Sequence, residues 1–67
     1  MENSVRLIRV GKVLELTGMS RTSLHRKIVA GQFPKPIKLG PRQVAWPEAE
    51  VVEWVRGLIA ESRGGAA

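Results

Sequence analysis

All four prolines of this chain fall between positions 34 and 47, and they limit what the chain can become. Proline lacks a backbone N–H and its ring clashes with a preceding helical turn. Pro34 and Pro36 therefore exclude helix and favour an extended path. Beyond them, Ile37 and Leu39 alternate with Lys38, and Val44 and Trp46 alternate with Gln43 and Ala45, the two-residue period of strands. Gly40 and Pro41 lie between the two runs. Glycine first suits the two-residue hairpin turns that need positive φ at that place. The reading is a β-hairpin that pairs Ile37–Leu39 with Gln43–Ala45, with an irregular loop as the alternative. Helices must then lie on either side of this stretch.

On the N-terminal side, "VRLIRV" (Val5 to Val10) reads as extended. Val10, Val13, Leu14 and Thr17 follow at helical spacing. They predict a short helix from Val10 to Thr17, poorly capped at its start, weakened by Gly11 and ended by Gly18. Ser20 then stands as the N-cap of a second helix, accepting from the amide of Thr22 or Ser23. Met19 and Leu24 flank that cap at the spacing of a hydrophobic staple. The second helix runs to about Ala30 and stops at Gly31. Two short helices joined by a glycine-containing turn make a helix-turn-helix signature. On the C-terminal side, Pro47 fits the first turn of a last helix, with Glu48, Glu50 and Glu53 near its positive end. Val51, Trp54, Val55 and Leu58 form its apolar stripe, widened by Val52 and Ile59. Fraying is expected near Ser62. The organisation is one domain over residues 1–62, with 63–67 as a flexible tail.

With 67 residues, a chain of this kind reaches a stability of about 3–5 kcal/mol. It has no cysteine, so disulfides and thiolate metal sites are excluded, in keeping with a reducing compartment. No run is long and apolar enough to span a bilayer, and "MENSVRLIRV" has no signal-peptide pattern. The expected location is cytoplasmic, with the nucleoid as the place of work. One histidine and no aspartate, cysteine or tyrosine leave no catalytic constellation and no metal-ligand set. No glycine-rich loop matches a phosphate cradle. The expectation is therefore a non-enzyme with no metal, no cofactor and no small-molecule substrate. Trp46 and Trp54 read as core residues, in preference to a platform for stacking single-stranded bases.

Charge points to a partner. Eleven Lys and Arg against six acidic residues give +5, a balance typical of chains that meet a polyanion. Between Ser20 and Ala45 stand Arg21, Arg26, Lys27, Lys35, Lys38 and Arg42, with no acid among them. A face meant only for water would intersperse the two signs. On a helical wheel Leu24 and Ile28 face the core and Arg21 and Lys27 flank them. Thr22, Ser23 and Arg26 point away, and His25 lies at the edge. Such a face is slim and cationic, as entry into a major groove requires. Arg26 can reach guanine O6 and N7 or a phosphate, and Thr22 and Ser23 can bond phosphates or base edges. His25 serves equally as edge packing or as a phosphate contact. Lys38 and Arg42 near the hairpin tip, with Lys35 on the approach to it, read as wing contacts to the backbone phosphates or the minor groove, or as solvated surface.

The segments "LTGMSRTSLHR", "GQFPKPIKLG" and "VAWPEAEVVEWV" together resemble the AlpA-type prophage regulators, small DNA-binding proteins related to phage excisionases and to the MerR-like winged helix. The resemblance spans about Arg6 to Arg56. It implies a mostly α fold, three helices with a small β-hairpin, in the winged helix-turn-helix arrangement. It also implies a role in transcription, with excision directed by some relatives. By position, Arg21, Thr22, Ser23 and Arg26 fall on the recognition helix, and Lys38 and Arg42 on the wing. His25 stands where the family usually has tyrosine, and Gly11 and Lys12 replace a more helix-favouring start.

Three functions compete on this reading. The first is a sequence-specific regulator bound to double-stranded DNA. The second is an excisionase-like architectural factor or a DNA-packaging subunit, working through the same surface. The third is a protein-interaction module that uses the last helix. One short helix reads only a few base pairs, so several copies are expected on DNA, with self-association through the last helix.

Overall fold

The computed structural model describes residues 6–64. In chain order the elements are β1 (Leu7–Ile8), α1 (Val10–Thr17), α2 (Arg21–Val29), β2 (Ile37–Gly40), β3 (Gln43–Pro47) and α3 (Glu48–Gly64). The three strands form one small sheet in the order β1-β3-β2, with both pairings antiparallel. This is a winged helix-turn-helix, as the sequence predicts, with one strand more than the expected hairpin. Val5, which opens the expected extended segment, and residues 65–67 of the expected tail lie outside the described residues. The last helix continues through Arg63 to Gly64, past the fraying expected near Ser62.

The helix boundaries follow local chemistry. No side chain caps α1 at its start, where the amides of Lys12 and Val13 donate to Arg9 O at 3.1 Å each. It ends at Gly18, whose φ of 73° lies in the left-handed region that glycine enters without steric penalty. Thr17 Oγ1 donates back to Val13 O at 2.8 Å and accepts from the amide of Met19 at 3.3 Å, which tightens the turn into α2. Ser20 caps α2, its Oγ accepting from the Ser23 amide at 3.2 Å. At the other end Gly31 has φ 75°. Its amide donates to Ile28 O at 3.1 Å, and the Gln32 amide donates to Lys27 O at 2.8 Å. That pair of bonds is a Schellman motif, which satisfies carbonyls the helix end would leave open.

Every element except β2, together with the α2–β2 connector, contributes to one core: Ile8, Val13, Leu24, Phe33, Trp46 and Val51 are buried together. Val10, Leu14, Met19, Ile28, Val44 and Trp54 pack around them. The connector from Gln32 to Pro36 is fixed by the two tryptophans. Trp46 Nε1 donates to Pro34 O at 2.9 Å, and Trp54 Nε1 donates to Gln32 O at 2.8 Å. The Phe33 ring meets both indoles edge-on, at centroid distances of 6.4 Å and 4.9 Å. Both tryptophans therefore belong to the frame, as expected. Against the far end of the sheet, the Glu48 amide donates to Arg6 O at 2.7 Å, and this ties the start of α3 to the strand beside it.

Three details differ from the sequence reading, in the hairpin turn, at Pro47 and in the strand alternation. The hairpin turn is Pro41–Arg42, because Gly40 pairs with Gln43 as a strand residue and its φ is not positive. Proline's fixed φ suits the first central place of an ordinary turn better than the second place of a glycine-first one. The register shift between Lys38 and Gly40 takes up the mismatch in twist. Pro47 closes β3, paired with Leu7, and the last helix starts one residue later at Glu48. Alternation fails along the hairpin: Ala45 and Trp46 are both buried, while Ile37 and Leu39 are exposed. The central strand is covered on both faces, and the edge strand has little to pack against. The stripe of α3 also outruns the core, since Val51 is fully buried but Leu58 and Ile59 are 45% and 48% exposed.

Candidate nucleic-acid interface

The candidate surface is built on α2. Leu24 is buried and Ile28 half-buried, and these two anchor the helix. Arg21, Thr22, Ser23, His25 and Arg26 are all exposed. Ser20 Oγ donates to Ser23 Oγ at 3.2 Å, so the Ser23 hydroxyl is engaged with the cap, whereas Thr22 and Arg26 are free to point outward. No bond among the described residues takes the amides of Arg21 and Thr22. Both therefore point out of the positive end of the helix, a favourable place for a phosphate.

Electrostatics single out the middle of the chain. Among the described residues the ion pairs are Arg6–Glu48 at 3.9 Å and Lys12–Glu15 at 3.6 Å. Neither involves Arg21, Arg26, Lys27, Lys35, Lys38 or Arg42. Among the described residues these six cations have no carboxylate partner, as Arg9 and Arg56 have none, but only these six stand in one contiguous segment without an acid, while the paired cations lie nearer the N-terminus. Unpaired cations repel one another, and a bound polyanion relieves that repulsion.

Besides Ser23 and Lys27, the sequence-predicted residues fall into three groups. Thr22 and Arg26 share the outward face of α2. Arg21 and His25 turn toward the hairpin, where they edge a groove of about 460 Å³ whose other walls include Ile28, Pro36 and Val44. Lys35, Lys38 and Arg42 are exposed on the connector, on β2 and in the turn. Lys27 stands apart. It is half-buried and faces α3, where with Gln32, Trp54, Leu58 and Glu61 it lines a second groove of about 600 Å³. One exposed residue of α2 went unnoticed at the sequence level. Val29 is 73% exposed, the highest value among the large hydrophobic side chains of the described residues. Its position relative to Thr22 and Arg26 was the available signal.

A short helix-turn-helix with a three-stranded wing and an acid-free, cationic second helix defines the class of small winged-helix proteins. Residues 6–59 match the family described as Prophage CP4-57 regulatory protein (AlpA). The chain belongs to this AlpA family. It is 40% identical over 60 residues to Uncharacterized protein ORF88 of Enterobacteria phage P4, covering 90% of this chain and 68% of that one. It is 34% identical over 59 residues to the DNA-binding transcriptional activator AlpA of Escherichia coli (strain K12), covering 79% of this chain and 84% of that one. No solved structure matches. No helix among the described residues is long and apolar enough to cross a membrane.

Proposed function

We propose that the chain is a sequence-specific regulator of transcription that binds double-stranded DNA, in a prophage or an integrated element. The observation that carries this reading is the set of five exposed cations, Arg21, Arg26, Lys35, Lys38 and Arg42, on and beyond an acid-free α2, none of them in an ion pair among the described residues. The printed description of the Escherichia coli relative, a DNA-binding transcriptional activator, supports it. In this reading α2 enters the major groove, with Arg26 and Thr22 toward base edges. The amides of Arg21 and Thr22 meet a phosphate, and Lys35, Lys38 and Arg42 follow the backbone from the wing.

Selection of bound duplexes from a random pool, followed by fluorescence titration, tests the proposal. Enrichment of a short motif and a log–log salt slope near −3.6, as about four neutralised phosphates give, are expected. Equal affinity for every duplex at moderate salt overturns it. An unchanged preference for a motif combined with strong bending in circularly permuted fragments would favour the architectural alternative.

A second copy on adjacent DNA completes the reading, because one nine-residue helix covers few base pairs. The last turns of α3 are the surface offered for it. Leu58 and Ile59 continue the stripe of the buried Val51 beyond the edge of the core. The groove beside Leu58 carries one charge of each sign, Lys27 and Glu61, which suits contact with an identical chain. Sedimentation on a two-site duplex should then show cooperative loading that Leu58→Glu abolishes. Independent loading of both proteins would remove this part.

A further inference from the structure

We infer that Val29 reads the C5 methyl group of a thymine, so that the chain recognises at least one A·T pair by apolar contact. The inference rests on the duplex-binding reading above and adds a specificity residue to it.

The exposed residues of α2 are Arg21, Thr22, Ser23, His25, Arg26 and Val29, and Val29 is the one hydrophobic member. A single exposed aliphatic side chain ordinarily carries no meaning. Its position gives this one meaning. At about 100° per residue, Thr22, Arg26 and Val29 fall within about 60° of each other, opposite the buried Leu24. They form one stripe on the outward face. From Thr22 to Val29 the helix rises about 10.5 Å, close to three base steps of about 3.4 Å. Arg26 lies between them, about 4.5 Å before Val29 along the axis.

The chemistry of the groove narrows the partner. On its base edges the major groove presents donors, acceptors and one apolar group, the thymine C5 methyl. A valine held over the base edges matches that group and leaves a donor or acceptor unsatisfied if set against any other. Valine is also suited to the task in a helix, where its χ1 is held almost entirely in one rotamer, so little freedom is lost on contact. Behind it the chain leaves the helix through the Schellman bonds of Gly31 and Gln32. Val29 is thus the last side chain of the helix proper and is held at a fixed end.

The test uses the duplex obtained by selection, with each thymine replaced in turn by deoxyuridine, which removes only the methyl group. The full chain and its Val29→Ala variant are titrated against each duplex. One thymine is expected whose demethylation weakens the wild type about fourfold, the factor expected for one methyl withdrawn from water, and leaves Val29→Ala unchanged. Val29 is 73% exposed, so the variant should melt like the wild type. Two results overturn the inference: no thymine whose demethylation matters, or an equal loss in both proteins, which would assign the methyl contact to another group such as Thr22. Failure of the broader reading looks different, because then no duplex motif is selected at all.

Discussion

Arg26 carries the sharpest expectation at the scale of single residues. It is exposed, has no ion-pair partner among the described residues and shares the outward face with Thr22. Arg26→Ala should reduce affinity for the selected duplex by about 1–3 kcal/mol and relax preference at one position. Competition against single-position variants of the duplex measures both effects. Gly31 offers a control for folding alone. Its φ is 75° and an added methyl group would meet nothing within 4 Å, so Gly31→Ala introduces backbone strain and no clash. Urea denaturation should place the loss near 1–2 kcal/mol. The roles of Ser20, Gly18 and Gly31 were legible from sequence because caps and stops depend on a few neighbouring residues. Val29 was not, since a branched aliphatic in a helix is normally read as core. Its exposure depends on the rest of the fold leaving that face open.

The hairpin shows at the scale of elements where local reading ends. Its existence followed from the prolines and from the two-residue period. Its turn is displaced by one residue because Pro41 takes the first central place and Gly40 stays in the strand. The pairing of β1 with β3 depends on Leu7 meeting Pro47 and Ile8 meeting Trp46, contacts between the two ends of the domain that no local pattern encodes. The same pairing makes β3 the central strand, and cover on both of its faces buries Ala45 and Trp46 alike, against the expected alternation. If the wing follows the DNA backbone, the double change Lys38→Ala with Arg42→Ala removes two phosphate contacts. The log–log salt slope should then fall in magnitude by about 1.8, with base preference kept. Affinity measured at several salt concentrations on selected and scrambled duplexes checks this.

The relation between α2 and the wing belongs to the whole molecule, and the connector from Gln32 to Pro36 sets it. Trp46 holds this connector through Pro34 O while filling the core, so Trp46→Phe removes both a hydrogen bond and packed volume. The expected loss is about 1–3 kcal/mol. In a domain this small each kcal/mol lowers Tm by about 4–8 °C, which calorimetry can read. The overhang of α3 is also a whole-molecule property. The apolar stripe was visible in the sequence, but where the core stops beneath it depends on the size of the assembled body. The same holds for Lys27: its place beside the cations of α2 in sequence does not reveal that it turns toward α3.

The way the connector is held has one more consequence. Both indoles grip main-chain carbonyls, those of Gln32 and Pro34; the Trp46 ring belongs to the core and the Trp54 ring packs against it. The outward side chains of α2 take no part in that grip. Thr22, Arg26 and Val29 can therefore be exchanged as a set while the spacing of helix and wing stays as it is. If this stripe reads DNA as proposed, a chain built this way acquires a new operator through a few substitutions on one exposed stripe, and its descendants drift apart in target while remaining superimposable in shape.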